Sequence, residues 1–232
     1  ACFLDSMTTL NLPAWGYGIR YQYGMFRQLI ADGKQVEAPD FWLESGNPWE
    51  ICRRDVTYEV KFGGYVVSMM GRDKNIKFRW EGGQNILAVA YDNPITGFGT
   101  ANVNNLRLWS SAPATEFDLS SFNNEDQADY WNLLAQRQKD ENICKVLYPN
   151  ANSYKGQELR LKQQYFFSAA SLLDIVRRFK KTGKAWHKFP DLVAIQLNDT
   201  HPTVSIAELM RLLVDGEGLA WDAAWDVVTR TF

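Results

Sequence analysis

The chain is poor in the residues that metal, disulfide and membrane chemistry require. Only two histidines and three cysteines occur among its 232 residues. Cys2, Cys52 and Cys144 are far apart, so no metal-binding spacing arises, and their odd number argues for reduced thiols in an intracellular protein rather than a disulfide framework. No metal site is expected. Long apolar runs are also missing: nothing approaches the roughly 18 residues that span a bilayer. The N-terminus has neither the basic start nor the apolar core of a signal peptide, so a soluble protein is expected. Charge of one sign is not in excess either. A formal net charge of -2 and a pI near 5.8 give no general attraction to nucleic acid or to an anionic membrane surface. There is no internal repeat and no low-complexity linker. A dinucleotide fingerprint is lacking as well: Gly16 and Gly18 have its first spacing, but the next glycine is Gly24 and no ribose-binding acid follows a strand at the right distance.

With 46% hydrophobic and 22% charged residues, the chain has ample material for a core and for one large domain or two small ones. Residues 1 to 10 read as helix. Leu12 to Tyr21 reads as a glycine-punctuated loop, and a helix is expected around Gly24 to Ile30. From Tyr58 to Trp109 apolar and polar residues alternate in short runs broken by Gly63-Gly64, Gly82-Gly83 and Asn93-Pro94, which predicts strands and hairpins. The best strands are Tyr58–Phe62, Lys77–Trp80, Ile86–Tyr91 and Asn105–Trp109. Gln127 to Val146 and Leu159 to Lys181 carry apolar residues at helical spacing. The fourteen per cent of aromatic residues, nine of them Trp, are mostly core material on general grounds and only weakly favour a sugar ligand. The run Arg177-Arg178-Phe179-Lys180-Lys181 ends a helix, where the dipole favours cations, and it could also hold a phosphate.

Chemistry concentrates in Asp191 to Pro202. Leu192 to Leu197 is short, apolar and branched, as expected for a strand covered on both faces of a parallel sheet. Pro202 ends it, and Ser205 with Glu208 reads as a capping box before the next helix. Asn198, Asp199, Thr200 and His201 then lie between a strand's carboxyl end and a helix start, where open α/β sheets bind ligands. An Asp-Thr pair is often plain turn chemistry and a lone His is often structural. Four consecutive hydrogen-bonding groups nevertheless need partners if buried, and a hydroxyl-dense sugar would supply them.

Seven strings occur in order: Phe3-Leu4-Asp5-Ser6-Met7, Gly16-Tyr17-Gly18-Ile19-Arg20-Tyr21, Gly46-Asn47-Pro48-Trp49-Glu50, Leu106-Arg107-Leu108-Trp109-Ser110, Val146-Leu147-Tyr148-Pro149-Asn150, Glu158-Leu159-Arg160-Leu161-Lys162-Gln163 and Gln196-Leu197-Asn198-Asp199-Thr200-His201-Pro202. Together they closely resemble the glycogen and starch α-glucan phosphorylases, over essentially the whole chain. The resemblance implies an α/β fold: part of a Rossmann-like lobe of a glycosyltransferase-B type enzyme, with a strand-rich middle and long helices. Residues 1 to 232 would be a partial N-terminal catalytic lobe. Its opening on Ala1-Cys2-Phe3 without an initiator Met and its close on Thr231-Phe232 read as cuts through a larger protein. The cofactor-bearing second lobe would lie elsewhere, leaving the fragment inactive alone.

The implied reaction is phosphorolysis of α-1,4-glucan at non-reducing ends by inorganic phosphate, releasing glucose 1-phosphate, with pyridoxal 5'-phosphate as cofactor on a lysine outside this chain. Its phosphate group would assist proton transfer to the attacking phosphate. By the resemblance Asp199, Thr200 and His201 line the glucosyl pocket. Asp199 would orient a histidine that this chain does not contain. Asn152 matches a sugar-contacting Asn in an active-site gate that includes Asn150, Ala151 and Ser153. Two departures stand there: the family pattern has Asp at the position of Ala151, and animal members have an aromatic at the position of Ser153. Arg177 and Arg178 match arginines of an animal nucleotide-activator site, though unregulated relatives carry the pair too. A cytoplasmic homodimer is implied, or a plastid protein in a photosynthetic organism. Two other classes, a non-catalytic carbohydrate-binding module or remnant and a nucleotide-dependent glycosyltransferase, do not explain the ordered strings.

Overall fold

The structure is a computed structural model and describes residues 2–71, 76–114 and 127–232. In chain order the elements are α1 (Cys2–Thr9), β1 (Trp15–Ile19), β2 (Arg27–Ala31), β3 (Lys34–Ala38), β4 (Ile51–Phe62), β5 (Tyr65–Met70), β6 (Ile76–Glu81), β7 (Gln84–Thr96), β8 (Val103–Pro113), α2 (Gln127–Glu141), α3 (Tyr154–Lys180), α4 (Phe189–Leu192), α5 (Val204–Arg211) and α6 (Trp221–Thr231). The mixed α/β class is as expected, with strands in the middle and a 27-residue helix after them. The chain divides into two compact units, residues 1–59 with 86–163 and residues 60–85 with 164–232.

The first unit is built on a four-stranded sheet in the order β1-β8-β7-β4. Period-two alternation sets it: Ile86, Ala88, Ala90 and Asp92 of β7 are buried, as are Arg107, Trp109 and Ser111 of β8. β7 and β8 are antiparallel, and their register puts Asp92 opposite Arg107. That pair closes a two-pronged ion pair, Nε to Oδ1 at 2.7 Å and Nη2 to Oδ2 at 2.8 Å. Trp109 is fully buried, with Tyr17 stacked at 6.4 Å and Tyr58 edge-on at 5.7 Å.

Three expectations fail in this unit. Within the predicted loop Leu12–Tyr21, Trp15–Ile19 forms a strand parallel to β8, with Gly16 opposite Leu106 and Gly18 opposite Leu108. The glycines serve packing, since a Cβ on Gly16 would come within 2.8 Å of both Leu106 and Leu4 side chains. The helix expected over Gly24–Ile30 is replaced by the antiparallel hairpin of β2 and β3. Its turn is Asp32-Gly33, both at positive φ (50° and 72°), the dipeptide that favours tight hairpins. Asn93-Pro94 does not break the sheet either. β7 runs through it to Thr96, Pro94 pairing in register with Asn105.

The second unit holds a helical core of Leu172, Val176, Phe179, Phe189, Leu209, Leu213, Val227 and Val228, with the Phe179 and Phe189 rings 4.9 Å apart. It also holds the β5–β6 hairpin. Two more expectations are corrected here. Leu192–Leu197 is not a strand buried on both faces. It leaves α4 in an extended conformation (Val193 φ -132°, ψ 121°) and makes one backbone hydrogen bond to another element, Ile195 N–H to the Thr231 carbonyl at 2.8 Å. Val193, Ile195 and Leu197 are half-buried while Ala194 and Gln196 are exposed, so one face packs on the helical core and no ladder partner stands beside it among the described residues. The capping box is absent too. Glu208 grips Arg211 within α5 through two 2.8 Å hydrogen bonds instead of reaching back to the helix start.

Candidate functional site

The polar apex forms where the extended segment meets α5. Asp199 takes a left-handed conformation (φ 70°), which short polar side chains tolerate, and its Oδ1 accepts the Thr200 N–H at 2.6 Å. That hydrogen bond first, and then the neighbouring His201, hold the Asp199 carboxyl below the usual carboxylate range. Thr203 Oγ1 donates to the Thr200 carbonyl at 2.7 Å as His201–Thr203 wind into a 3₁₀ turn that leads to α5. Asn198, Asp199 and Thr200 are exposed, His201 is half-buried and Pro202 is buried. Asn198, Asp199 and Thr200 thus face solvent rather than the core, so burial does not oblige them to find partners. What one turn gathers is an ionised carboxylate, a hydroxyl, an amide and an imidazole, a donor and acceptor set suited to sugar hydroxyls.

The loop 149–153 belongs to the first unit. Asn150 Oδ1 accepts the Asn152 N–H at 2.8 Å, an Asx turn. Ser153 caps α3, its Oγ accepting the Gly156 N–H at 3.2 Å. Gln157 Nε2 donates to the Ala151 carbonyl at 3.1 Å. Reading Ser153 only as a lost aromatic missed this capping role, although a serine directly ahead of the first helical residue signals it. Sequence reasoning also passed over Gly156 and Gln157.

Arg177 and Arg178 lie in the last turn of α3, as expected for the basic run. Arg177 Nη2 binds Asp174 Oδ1 at 2.7 Å, and Asp174 is wholly buried, so this arginine already neutralises an internal carboxylate. The structure thus places Asp199, Thr200 and His201 in one turn, Asn150 to Ser153 in a second and the arginines at a helix end.

Whether a pyridoxal cofactor fits these residues can be judged from the lysines. A Schiff-base lysine sits in a closed, partly apolar pocket. No lysine among the described residues is buried. Lys61 Nζ donates to the Trp80 carbonyl, and Lys162, Lys180 and Lys188 pair with Glu158, Glu217 and Asp191. These residues do not make a cradle for the group. Among the described residues there is no cluster of three or more His, Cys, Asp or Glu able to hold a metal ion, and no helix long and apolar enough to cross a membrane.

A family model described as carbohydrate phosphorylase matches residues 1–232. The chain belongs to that family. It is 60% identical over 233 residues to a glycogen phosphorylase of Saccharomyces cerevisiae, 52% identical over 232 residues to glycogen phosphorylase 2 of Dictyostelium discoideum, and 53% identical over 235 residues to the chloroplastic/amyloplastic alpha-1,4 glucan phosphorylase L-2 isozyme of Solanum tuberosum. Each alignment covers 100% of this chain but only 26%, 23% and 23% of the respective relative, so the chain spans about a quarter of their length.

Proposed function

We propose that this chain works as part of an α-glucan phosphorylase, which uses inorganic phosphate to cleave the terminal α-1,4 bond of glycogen or starch. In that reaction the glycosidic C1–O bond breaks, a phosphate oxygen bonds to C1 to give glucose 1-phosphate, and the proton goes to the leaving 4-hydroxyl. The observation that carries the reading is the family match along all 232 residues, at 60% identity to a glycogen phosphorylase. Within it, residues 1–232 form part of the first of two Rossmann-like lobes of a glycosyltransferase-B arrangement. The second lobe supplies the lysine for pyridoxal 5'-phosphate, in keeping with the lack of a buried lysine among the described residues. The complete protein is a homodimer of the cytoplasm, or of a plastid in a photosynthetic organism.

Bond cleavage builds positive charge on the glucosyl ring, so groups near it act through position and field. Asp199, an exposed carboxylate whose pKa the Thr200 N–H lowers further, and His201 form the polar wall of the glucosyl pocket, with Thr200 beside them. Asn152 meets the sugar from the gate loop of Asn150, Ala151 and Ser153. The absence of a carboxylate at Ala151 lets the closed gate meet phosphate without added repulsion. Arg177 and Arg178 receive an effector phosphate, Arg177 at the expense of its bond to Asp174. The test is phosphorolysis by the full-length protein, followed as glucose 1-phosphate release. His201→Ala should lower kcat/KM by about 1 to 3 kcal/mol in transition-state terms while cofactor content holds. Wild-type kcat/KM in that variant contradicts the role given to His201, and a full-length protein that releases no glucose 1-phosphate contradicts the function.

A further inference from the structure

Three residues from the first two turns of α3 reach back onto the loop before it, and each holds a different loop residue. The Asn150 carbonyl oxygen lies in the space that a Cβ on residue 156 would fill, with the Asn150 carbonyl carbon and the Ala151 Cα beside it. Glycine is required for this close approach, because the obstruction is main chain and cannot swing aside as a flexible side chain would. One residue on, Gln157 Nε2 holds the Ala151 carbonyl at 3.1 Å while its backbone N–H bonds the Ser153 carbonyl at 3.0 Å. One turn further, the Arg160 guanidinium lies 5.7 Å from the centre of the Tyr148 ring. Tyr148 sits at the loop's base with φ 52°, a conformation that a bulky side chain keeps only when its surroundings hold it.

Residues 156, 157 and 160 share one side of the helix by the i, i+3 and i+4 rule, so the loop is laid along that side. Asn152 is fixed indirectly. Its N–H is bonded to Asn150 Oδ1, and the backbone of Asn150 is set by Gly156.

We infer that Gly156 and Gln157 are positioning residues: they tether the loop 149–153 to the start of α3 and thereby fix the backbone from which Asn152 meets the glucan. The inference rests on the reading of this loop as part of the glucan site. Its mechanical content is that the loop does not swing on a free hinge at its carboxyl end. It moves together with the first turn of α3, or it first gives up the Gln157 bond and the Gly156 contact.

The test uses the full-length protein with Gly156→Ala, Gln157→Glu and Gln157→Lys. The Glu side chain has nearly the same shape and loses the donor at neutral pH, whereas Lys keeps an N–H donor. Hydrogen exchange of residues 149–156 reads the tether without reference to activity. Exchange should speed up about three- to tenfold in Gln157→Glu, the population shift of one lost hydrogen bond, should speed up at least as much in Gly156→Ala, whose methyl displaces the Asn150 carbonyl, and should return toward wild type in Gln157→Lys. KM for glucan should rise in the same order with kcat changed by less than about twofold, because only binding is loosened. If Gly156→Ala does not accumulate as folded protein, the two Gln157 variants carry the test. Wild-type exchange in Gln157→Glu overturns the tether. Faster exchange with an unchanged KM keeps the tether and overturns the glucan-site reading of the loop.

Discussion

Asp92 and Arg107 form a buried, doubly hydrogen-bonded ion pair inside the sheet of the first unit. Burial pushes the Asp92 pKa up, but the hydrogen bond from Arg107 leads the opposing contributions, and together they hold the carboxyl below its ordinary value. Arg107 is 3% exposed and its guanidinium also lies 4.9 Å from the Trp15 ring centre, so removing the Asp92 carboxylate would strip a buried cation of its two-pronged ionic partner. Asp92→Asn should cost about 3 to 5 kcal/mol, the penalty for breaking a buried pair from one side. The pH dependence follows from the depressed pKa. The pair's contribution is complete above the unfolded carboxylate value, near pH ~4, and is lost as pH falls through the lower folded value. Thermal melts between about pH 5 and 2 should show wild type losing stability more steeply than Asp92→Asn, and equal slopes would exclude Asp92 as a source of acid sensitivity. Nothing in the sequence announced this pair. Alternation marked Arg107 as lying on a strand but ended the run before it at Tyr91, one residue short of Asp92, and register is set by three-dimensional pairing that neither run reveals alone.

Elements were legible where local chemistry and tertiary context agree. The four strands read between Tyr58 and Trp109 fall within β4, β6, β7 and β8, with β5 unforeseen, and the two long helices follow from period, although the first ends at Glu141 rather than Val146, giving way to a 3₁₀ turn over Asn142–Cys144. The readings that failed are those where a partner elsewhere in the chain decides. β1 is a strand because β8 lies beside it, despite its glycines. The segment after Leu192 has strand alternation, yet no neighbour among the described residues completes a ladder. The β2–β3 hairpin has a local signal in Asp32-Gly33, which outweighs the helix expected around Gly24 to Ile30. The glycine pairs that were read correctly as breaks have a stricter role than breaking. Gly64 and Gly83 both have positive φ, and a Cβ on Gly64 would strike the Glu81 carbonyl while one on Gly83 would strike the Phe62 carbonyl. The turns after β4 and β6 are thus pressed main chain to main chain. Gly63 also has positive φ but open space around it. Gly63→Ala should therefore cost about 1 to 2 kcal/mol of conformational strain alone, and Gly64→Ala or Gly83→Ala clearly more. Urea unfolding of the three variants checks the ranking, and equal losses would refute the close-contact account.

At the scale of the molecule, family membership was far easier to see than register, because ordered strings such as Gln196 to Pro202 survive in sequence whatever their pairing. The candidate site was legible as a list of residues but not as surfaces. The exposure of Asn198 to Thr200, the capping by Ser153 and the engagement of Arg177 by Asp174 all depend on what lies nearby in space. Borohydride reduction of the cofactor-loaded enzyme followed by peptide mapping should place no pyridoxyl group on residues 1–232, and an adduct on any lysine here would refute the assignment of the cofactor to another lobe. The parallel pairing of β1 with β8 carries a last implication, one of time. Trp15 and Asn105 are register partners although the whole run of β2 to β7 is strung between them, so closing that contact needs a long loop to be drawn in. The adjacent β7 and β8, joined by a short connection, can zip without it. During refolding, amides shared by β7 and β8 should gain protection before those shared by β1 and β8, so the edge that carries Tyr17 against Trp109 would be the last part of this sheet to set.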